Sequence, residues 1–404
     1  MTDTDVIVVG GGATGVGIAR DLAMRGLDVT LFERGGLGSG TTGRSHGLLH
    51  SGARYATADP EGAAHCIQEN RILRDIAGAA VETSGGLFVQ LPDDDPDHFE
   101  ARLSACRDLD VPATEHSASE ACDRVPDLAE DVQRAFEVPD GVVYPSRLVA
   151  ATAESARQHS ATIRTETPIE GVRVDDGRVV GVEADGEFVA ANHVVNAAGA
   201  WAGEVAALAG LDIEMAPTKG VMVAVDRPTV DPVINRCRPP SDGDIAVPHE
   251  EGVILGTTST PVEDPDAPPA DDGDESAEAV EAMLQEGAAM LPAVAEADID
   301  RVYWGVRPLY GGGEGRGRDA SRGFQVFEGA DDGRPGMTTV TGGKLTTYRL
   351  MAEAVADAVC GRLGIDEPCR TAEEPLPADD PDALDELVAE FCTDYPADED
   401  IVRV

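Results

Sequence analysis

Apolar and polar positions near the start of the chain follow two different periods. Residues Asp5 to Val9 form a short apolar run, which predicts a buried strand. The next apolar positions recur at helical spacing until Gly26, a residue that favours the end of a helix. A second apolar run, Asp28 to Phe32, follows at once. Strand, helix and strand in this order predict a βαβ unit of a parallel sheet.

The same two periods predict elements along the remaining chain. Alternating apolar runs on either side of an Asp-Gly pair predict a β-hairpin over Glu170 to Val182. Residues 85 to 139 indicate short strands and an acidic helical segment. We further expect helices at Glu61–Ala77, Leu148–His159 and Glu278–Leu291, strands at Val189–Ala198, Met215–Val225 and Met337–Thr341, and a last helix with Tyr348, Ala352, Val355 and Val359 on one face.

Segments with the pattern of a nucleotide-binding domain recur at the start, the middle and the end of the chain. The fold class predicted from this order is α/β, a Rossmann-like domain that carries an inserted α+β cap domain. The predicted boundaries are 1–84, 142–213 and 302–366 for the nucleotide-binding domain, 85–141 and 214–301 for the cap, and 367–404 for an acidic, poorly patterned C-terminal extension.

Acidic residues outnumber basic ones, 76 against 31, which gives a formal net charge of -45. Such a field repels nucleic acid, so nucleic acid is excluded as a partner. Because 42% of the residues are hydrophobic, we interpret the charge as adaptation to very high salt rather than as a sign of disorder. Stability and activity are then expected to rise in molar KCl. The acidic segments Asp93–Asp97 and Pro261–Glu278 are predicted to be solvated surface loops.

The sequence predicts no membrane span, no metal site and no disulfide. No apolar stretch is long enough to cross a bilayer, and the first strand begins too early to leave room for a signal peptide. The seven cysteines include no C-x-x-C pair, no zinc-type cluster and no four-cysteine run for an iron–sulfur cluster. We therefore expect a cytoplasmic protein with free thiols and no bound metal. The chain has two lysines, Lys219 and Lys344, and the second lies in a glycine-rich segment that indicates a specific role.

Residues Gly10 to Gly15 have the G-x-G-x-x-G pattern between the first strand and the first helix. Gly10 makes the tight turn, Gly12 lets backbone approach a pyrophosphate, and Gly15 lets helix and strand pack closely. The helix N-terminus faces the phosphates, and Glu33 at the end of the second strand is placed to accept hydrogen bonds from a ribose. The sequence therefore predicts a dinucleotide site, which NAD and FAD both fit.

The segment from Ser39 to Tyr55 is rich in small, hydroxyl-bearing and basic residues. Small residues let a backbone lie flat against a planar ring system, and hydroxyls and amides bond to a pyrophosphate and to ring edges. An NAD-dependent dehydrogenase has no evident use for such a segment, whereas FAD can extend along it from ribose to isoalloxazine. The segment therefore favours FAD.

Further glycine-containing segments carry candidate chemistry. Val194 to Trp201 is an apolar strand that ends in small residues, typical of close packing on a dinucleotide. Thr341 to Arg349 is a second junction of strand, glycine and helix, and its helix N-terminus would stabilise an anion by about 0.3–1 kcal/mol. Arginines in loops near these segments, Arg54, Arg307 and Arg322, are candidates for gripping a phosphate through paired hydrogen bonds.

Together these segments resemble the FAD-dependent glycerol-3-phosphate dehydrogenases, most closely the A-type subunit of the anaerobic enzyme. The residues that carry the resemblance extend from residue 5 to about residue 370 and are GGGATGVG, TTGRSHGLLHSGARY, NAAGAW, NRCRPPSD, ILGTTST, GVRPL and TGGKLTTYRLMAEAVADAVC. The first and third are shared with the wider amino-acid-oxidase-like flavoproteins, whereas HSGARY, GVRPL and GGKLTTYR are far more specific. The resemblance implies an FAD domain of the glutathione-reductase or amino-acid-oxidase type and oxidation of sn-glycerol 3-phosphate to dihydroxyacetone phosphate.

The resemblance also implies roles for individual residues. It places FAD contacts at Gly10, Gly12, Gly15, Glu33, Thr41, Thr42, Ser45, Leu48, Gly199 and Gly343, and substrate contacts at Arg54, Tyr55, Arg307, Arg322 and Lys344. Arg54 with Arg322 would clamp the phosphate, while Arg307 with Lys344 would stabilise alkoxide charge developing at C2. Two candidates for the catalytic base stay open, a neutral Lys344 and His50.

Electron transfer and location follow from the same resemblance. Electrons are expected to reach a quinone through partner subunits, because the cysteine-rich C-terminal region often found in the anaerobic enzyme is not present in this sequence. The expected location is cytoplasmic and peripheral, on the inner face of the cell membrane. Two alternatives stay open: another amino-acid-oxidase-like flavoenzyme that acts on an amine or a 2-hydroxy acid, and a flavin-binding subunit without catalytic activity.

Overall fold

The computed structural model describes residues 3–249, 252–266, 274–311, 323–392 and 395–398. The helices are α1 (Ala13–Met24), α2 (Pro60–Ile76), α3 (Pro96–Asp108), α4 (Ala118–Arg124), α5 (Pro145–Gln158), α6 (Ala202–Leu208), α7 (Asp274–Met290), α8 (Tyr348–Leu363) and α9 (Pro381–Phe391). The strands are β1 (Thr4–Val9), β2 (Val29–Phe32), β3 (Leu48–Leu49), β4 (Val81–Glu82), β5 (Gly86–Gln90), β6 (Thr114–Ser117), β7 (Arg134–Val138), β8 (Gly141–Val143), β9 (Thr162–Arg164), β10 (Ile169–Asp175), β11 (Arg178–Ala184), β12 (Glu187–Asn196), β13 (Thr218–Val225), β14 (Val233–Arg236), β15 (Ile245–His249), β16 (Gly252–Gly256), β17 (Thr260–Pro261), β18 (Ile299–Arg307), β19 (Phe324–Glu328) and β20 (Met337–Gly342).

A parallel sheet holds the start of the chain near its centre. β1 lies between β2 and β12, so that Val8 pairs with Leu31 on one side and with Val195 on the other. β9 extends the parallel sheet beyond β2, and β20 pairs in parallel with the end of β12. The antiparallel strands β10, β11 and β19 complete this sheet. This topology confirms the predicted βαβ unit and the predicted Rossmann-like α/β fold class.

Helices pack on the parallel sheet through an apolar core. α1 packs against both α5 and α8. The predicted apolar face of the last helix is confirmed, since its four residues are all buried: Tyr348, Ala352, Val355 and Val359. Burial of a large apolar side chain contributes about 1.5–3 kcal/mol, so this face fixes the position of α8 beside the glycine-rich loop.

The inserted segments form a second, mainly antiparallel sheet. Its strands follow the order β17-β13-β16-β15-β14-β5-β7-β6, with β18 also paired to β13, and α7 packs on β13 and β16. The division into two domains stays a prediction, but one boundary needs correction: residue 302 falls inside β18, which pairs with β13 as far as Arg307. A small third sheet joins β3, β8 and β4.

Neither predicted acidic loop has the expected extent. Asp94 is buried and forms an ion pair with Arg236, with 2.9 Å between Oδ1 and Nε, and Asp95 caps α3. The prediction of a fully solvated segment was wrong because the pairing cation is remote in sequence. In the second loop, α7 begins at Asp274, before the predicted start at Glu278, and residues 267–273 lie outside the described residues.

The C-terminal extension is folded onto the nucleotide-binding part. α9 packs on α5, and Leu384, Val388 and Phe391 join the main core. Asp380 caps the helix by accepting a hydrogen bond from the amide of Asp382. Apolar residues at helical spacing after an Asp-Pro pair are an ordinary helix signal, which the acidic composition had obscured. Among the helices of the described ranges, none combines the length and the hydrophobicity that crossing a bilayer requires.

Candidate active site

The glycine-rich loop between β1 and α1 allows close backbone approach. Gly10 has a φ of +106°, and a Cβ there would lie 2.6 Å from the carbonyl oxygen of Ala197. A Cβ on Gly15 would lie 1.8 Å from the carbonyl oxygen of Gly10, so both positions require glycine. Gly12 is the N-cap of α1 and, like Thr14, lies in the wall of a large cavity. The N-terminus of α1 therefore faces this cavity.

Glu33 fixes the loop from the end of β2. Its carboxylate accepts hydrogen bonds from the amides of Gly11, at 2.7 Å, and Gly35, at 2.9 Å. Glu33 also lies in the cavity wall. The structure thus gives this residue a role in shaping the loop, and its predicted bond to a ribose stays a prediction.

Two threonines hold the segment that follows across the loop. Thr42 Oγ1 accepts a hydrogen bond from the amide of Ala13, at 3.1 Å, in the first turn of α1. Thr41 donates a hydrogen bond to the carbonyl oxygen of Val306, at 2.6 Å, on β18. The pair therefore ties the first helix of the parallel sheet to the second sheet.

The cavity has a volume of about 740 Å³ and is lined from both sheets. Most of the residues predicted to bind cofactor or substrate lie in its wall: Gly10, Gly12, Glu33, Thr41, Thr42, Ser45, Leu48, His50, Tyr55, Gly199, Arg307, Gly343 and Lys344. Gly15 lies behind the loop and Arg54 lies outside the wall. Arg322 lies outside the described residues.

The second glycine junction lies at the end of β20. Gly342 and Gly343 have φ values of +87° and +75°, and a Cβ on Gly343 would lie 2.3 Å from the sulfur of Met351. A short 3-10 turn, Leu345–Thr347, then leads into α8, whose first residue lies in the cavity wall. A second helix N-terminus, with its partial positive charge, therefore faces the cavity.

His50, Tyr55 and Lys344 meet in the cavity wall. The hydroxyl oxygen of Tyr55 lies 3.3 Å from Nε2 of His50, and Nζ of Lys344 lies 4.4 Å from the centre of the Tyr55 ring. The same Nζ lies 3.7 Å from Oδ2 of Asp59, and only 6% of the Lys344 side chain is exposed. Sequence analysis missed Asp59, because an Asp-Pro pair signals only a helix start.

Arg307 lies at the end of β18, where it reaches the same cavity. Its Nη2 donates hydrogen bonds to the carbonyl oxygen of Thr258, at 3.0 Å, and to Oγ1 of Thr257, at 3.1 Å. The structure therefore brings Arg307, Lys344 and His50, the three predicted catalytic residues, to one cavity.

Buried carboxylates hold the loop that precedes Tyr55. Nη2 of Arg54 lies 3.4 Å from Oδ2 of Asp244, whose other oxygen accepts a hydrogen bond from Arg238 at 2.7 Å. Asp140 accepts a hydrogen bond from the amide of Ser51 at 2.7 Å, and burial raises the pKa of the Asp140 carboxyl group. Because Arg54 is directed at Asp244, the structure does not bring it to the cavity, and its predicted phosphate contact stays a prediction.

Two groups of side chains in the cavity wall were not predicted. Trp201 and Trp304, the two tryptophans of the chain, both lie there. The guanidinium of Arg34 stacks 4.3 Å from the centre of the Trp201 ring and pairs with Asp266 at 3.0 Å. The guanidinium of Arg44 lies 5.9 Å from the centre of the Trp304 ring. These contacts join residues far apart in sequence, so only NAAGAW gave a local signal.

The cysteines and the possible metal ligands of the described residues complete the description of the site. All seven cysteines are free. Burial raises the pKa of Cys66 to about 12, although nearby Lys344 acts in the opposite direction, so this thiol stays protonated at neutral pH. Within the part of the chain that the structure describes, no group of three or more His, Cys, Asp or Glu side chains is placed to hold a metal ion.

Comparison with known proteins agrees with this geometry. Residues 5–349 match the family described as DAO, FAD dependent oxidoreductase. The chain belongs to this family. Members of this family depend on FAD, which confirms the prediction from the sequence that the cofactor is FAD and not NAD.

The site residues fit FAD. Gly10 and Gly12 leave room for backbone to approach a pyrophosphate, and the helix N-termini of α1 and α8 face the same cavity. The volume of the cavity lies within the range of about 300–1,000 Å³ that is typical of small-molecule and cofactor sites. The residues that would hold FAD are thus those of the two glycine junctions and the Thr41–Thr42 pair between them.

Within this FAD dependent oxidoreductase family, the chain is similar in sequence to two named proteins. The chain is 50% identical over 391 residues to the A1 subunit of anaerobic glycerol-3-phosphate dehydrogenase from Haloferax volcanii, covering 92% of this chain and 66% of the relative. It is 45% identical over 382 residues to the A-type subunit of the same-named enzyme from Escherichia coli K12, covering 93% of this chain and 70% of the relative. The chain therefore spans about two thirds of the length of these relatives.

A solved structure shows the same fold. Glycine oxidase from Geobacillus kaustophilus superposes with a TM-score of 0.73 at 25% identity, covering 93% of this chain and 99% of that one. The FAD dependent oxidoreductase fold, with a Rossmann-like domain and a second sheet, is thus confirmed over nearly the whole chain.

Proposed function

We propose that this chain oxidises sn-glycerol 3-phosphate to dihydroxyacetone phosphate with FAD as the redox cofactor. The observation that carries the proposal is that Arg307, Lys344 and His50 all lie in the wall of one cavity of about 740 Å³. The identity of 50% and 45% to two proteins named as subunits of anaerobic glycerol-3-phosphate dehydrogenase supports the choice of substrate.

Cations in the cavity wall make an anionic substrate favourable in an otherwise acidic protein. The net charge of -45 repels a phosphate ester at long range, so binding requires a local positive site. Arg44, Arg307 and Lys344 supply such a site in the wall. We propose that they attract the phosphate and the C2 oxygen, with Arg54 and Arg322 as further phosphate contacts predicted from the sequence.

The environments of His50 and Lys344 support different roles for the two candidates for the base. Nζ of Lys344 forms an ion pair with Asp59 at 3.7 Å, which suits a protonated amine that stabilises negative charge. Nε2 of His50 instead faces the neutral hydroxyl of Tyr55 at 3.3 Å. We propose that His50 accepts the proton of the C2 hydroxyl, while Lys344 and Arg307 stabilise the developing alkoxide. FAD, when bound, accepts the hydride that leaves C2.

Electron transfer beyond the flavin belongs to other proteins in this proposal. Both relatives are named as one subunit of an enzyme, which supports partner subunits for this chain as well. We propose that these partners pass electrons to a quinone, and that the chain is a peripheral protein at the inner face of the cell membrane.

Dye-linked turnover of the purified FAD-loaded protein in molar KCl tests the proposal. sn-Glycerol 3-phosphate is expected to reduce the dye and to yield dihydroxyacetone phosphate in equal amount, whereas sarcosine and 2-hydroxyglutarate are inactive. Turnover of sarcosine alone would favour the amine-oxidising alternative. The likeness to glycine oxidase is the observation that favours an amine as the substrate in that case. Absence of turnover with every substrate would favour a flavin-binding subunit without catalytic activity.

A further inference from the structure

The segment ILGTTST belongs to the family resemblance, yet the proposed function gives it no role. It runs from β16 through residues 257–259 into β17, and both strands pair with β13. β13 also pairs with β18, with Thr218 opposite Arg307. The segment and Arg307 therefore meet around the start of β13.

Three oxygens around the start of β13 accept hydrogen bonds from the guanidinium of Arg307. Nη2 donates to Oγ1 of Thr257 at 3.1 Å and to the carbonyl oxygen of Thr258 at 3.0 Å. Nη1 donates to Oγ1 of Thr218 at 3.4 Å. Hydroxyl and carbonyl oxygens fix the direction of a guanidinium without bringing a negative charge to it.

The backbone around these oxygens is shaped to leave room for the guanidinium. A Cβ on Gly220 would lie 2.4 Å from Oγ1 of Thr257 and 2.6 Å from Nη2 of Arg307. The hydroxyl of Thr258 accepts a hydrogen bond from the amide of Val221 at 2.9 Å, which fixes the segment to β13. Any side chain at position 220 would therefore displace the hydroxyl or the guanidinium.

We infer that Thr257, Thr258 and Thr218 form a threonine cradle that positions Arg307 for the reaction. The inference rests on the proposed function, which has Arg307 stabilise charge at the C2 oxygen. None of the three threonines lies in the cavity wall, so they act through Arg307 as positioning residues. A displacement of about 1 Å of such a group can cost roughly 100-fold in rate, so the cradle is expected to affect turnover more than substrate affinity.

Substitutions at Thr257 separate the hydroxyl from the shape of the side chain. Thr257→Val keeps the size and removes the acceptor, and it is expected to lower kcat by about 10- to 100-fold with KM for sn-glycerol 3-phosphate changed less than about threefold. Thr257→Ser restores the hydroxyl and is expected to stay within about threefold of the unmodified protein. Equal kcat in the valine and unmodified proteins would overturn the inference, as would equal losses in the valine and serine variants.

Gly220→Ala tests the cradle from the opposite side. Its methyl group collides with Thr257 Oγ1, so we expect a loss of kcat similar to that of Thr257→Val. Gly361→Ala is the matched control, because a Cβ at that position in α8 meets nothing within 4 Å. Loss of kcat in the control alone, or in neither variant, would contradict the cradle.

Free guanidinium gives a readout that does not depend on turnover. In Arg307→Ala, the empty cradle is expected to bind guanidinium ion, which raises the melting temperature of the FAD-free protein in molar KCl and restores part of the turnover of the FAD-loaded protein. Adding Thr257→Val is expected to raise the guanidinium concentration needed for both effects about tenfold. The same concentration dependence with and without the hydroxyl, or no effect of guanidinium at all, would overturn the cradle. Failure of the proposed function is distinguishable, because the unmodified FAD-loaded protein would then not turn over sn-glycerol 3-phosphate, while guanidinium would still raise the melting temperature of FAD-free Arg307→Ala.

Discussion

Nζ of Lys344 lies 3.7 Å from Oδ2 of Asp59, while Oδ1 of the same carboxylate accepts a hydrogen bond from the amide of Gly62 at 2.8 Å. One aspartate therefore caps α2 and pairs with the lysine of the cavity. The capping bond needs only an oxygen, whereas the ion pair needs a charge, so the two roles can be separated by substitution.

Asp59→Asn is expected to lower activity while leaving the cap of α2 intact. Asparagine is about as good an N-cap as aspartate, so the capping contribution to the free energy of unfolding should change by less than about 0.5 kcal/mol. The charge that holds Lys344 is lost, and we expect kcat to fall about tenfold, the equivalent of about 1.4 kcal/mol. Denaturation curves and steady-state kinetics in molar KCl measure the two effects.

Asp380→Asn is the matched control for this substitution. Asp380 caps α9 through the amide of Asp382 and lies outside the cavity wall. Both stability and kcat should stay near those of the unmodified protein. An equal loss of kcat in the two variants would show that the effect of Asp59→Asn does not come from Lys344.

Arg307→Ala is expected to abolish most turnover while FAD stays bound. The guanidinium reaches the cavity from β18, whereas the glycine junctions that fit the cofactor lie on the other sheet. Loss of one group that stabilises transition-state charge typically costs about 100- to 1000-fold in kcat. The ratio of flavin to protein absorbance checks the cofactor, and stopped-flow reduction checks the rate. A variant with normal turnover would exclude Arg307 from the reaction.

His193 predicts a specific dependence of stability on pH. Its Nε2 lies 2.9 Å from Oγ1 of Thr338, and burial lowers its pKa to about 4, with Arg178 and Arg362 acting in the same direction. The unfolded chain takes up this proton near pH 6.5, so the stability linked to His193 is complete above about pH 6.5 and is lost as the pH falls towards 4. The loss approaches about 3 kcal/mol at about 1.4 kcal/mol per pH unit.

Denaturation at constant KCl across this pH range measures the effect. His193→Asn removes the titrating ring, so its free energy of unfolding should fall less steeply between about pH 6.5 and 4 than that of the unmodified protein. Parallel pH profiles for the two proteins would contradict a buried, neutral His193. The absolute stability of the variant is irrelevant to this comparison.

Both tryptophans report on the occupancy of the cavity. Because Trp201 and Trp304 lie in its wall, FAD added to FAD-free protein should quench nearly all tryptophan emission, since the flavin absorbs in the region where indole emits. Trp201→Phe should leave one emitter that is quenched to a similar extent. Emission that survives saturation with FAD would place one of the tryptophans away from the cofactor.

Local sequence patterns were sufficient to predict the arrangement of the residues that would hold the cofactor. Gly10, Gly12 and Glu33 belong to one continuous βαβ unit, so their spacing alone predicts their arrangement. Asp59 and Thr257 meet Lys344 and Arg307 only through tertiary structure, and neither the Asp-Pro pair nor the segment ILGTTST predicts these contacts. Arg54 was expected in the cavity for the same reason that these were missed: its partner Asp244 is remote in sequence.

Fold prediction shows the same division between local and remote information. The apolar face of α8 was identified from periodicity, and α9 carried the same signal beneath an acidic composition. The predicted domain boundary at residue 302 falls inside β18, because the pairing of this strand with β13 depends on residues far away in sequence.

Anaerobic reduction of the bound flavin tests the central claim most directly. The purified protein in molar KCl is mixed with one equivalent of sn-glycerol 3-phosphate in the absence of oxygen, and the flavin absorbance is followed. The proposed function predicts loss of the oxidised flavin spectrum with formation of dihydroxyacetone phosphate, and no change with sarcosine or 2-hydroxyglutarate. A flavin that stays oxidised with sn-glycerol 3-phosphate but is reduced by either of the other two would contradict it.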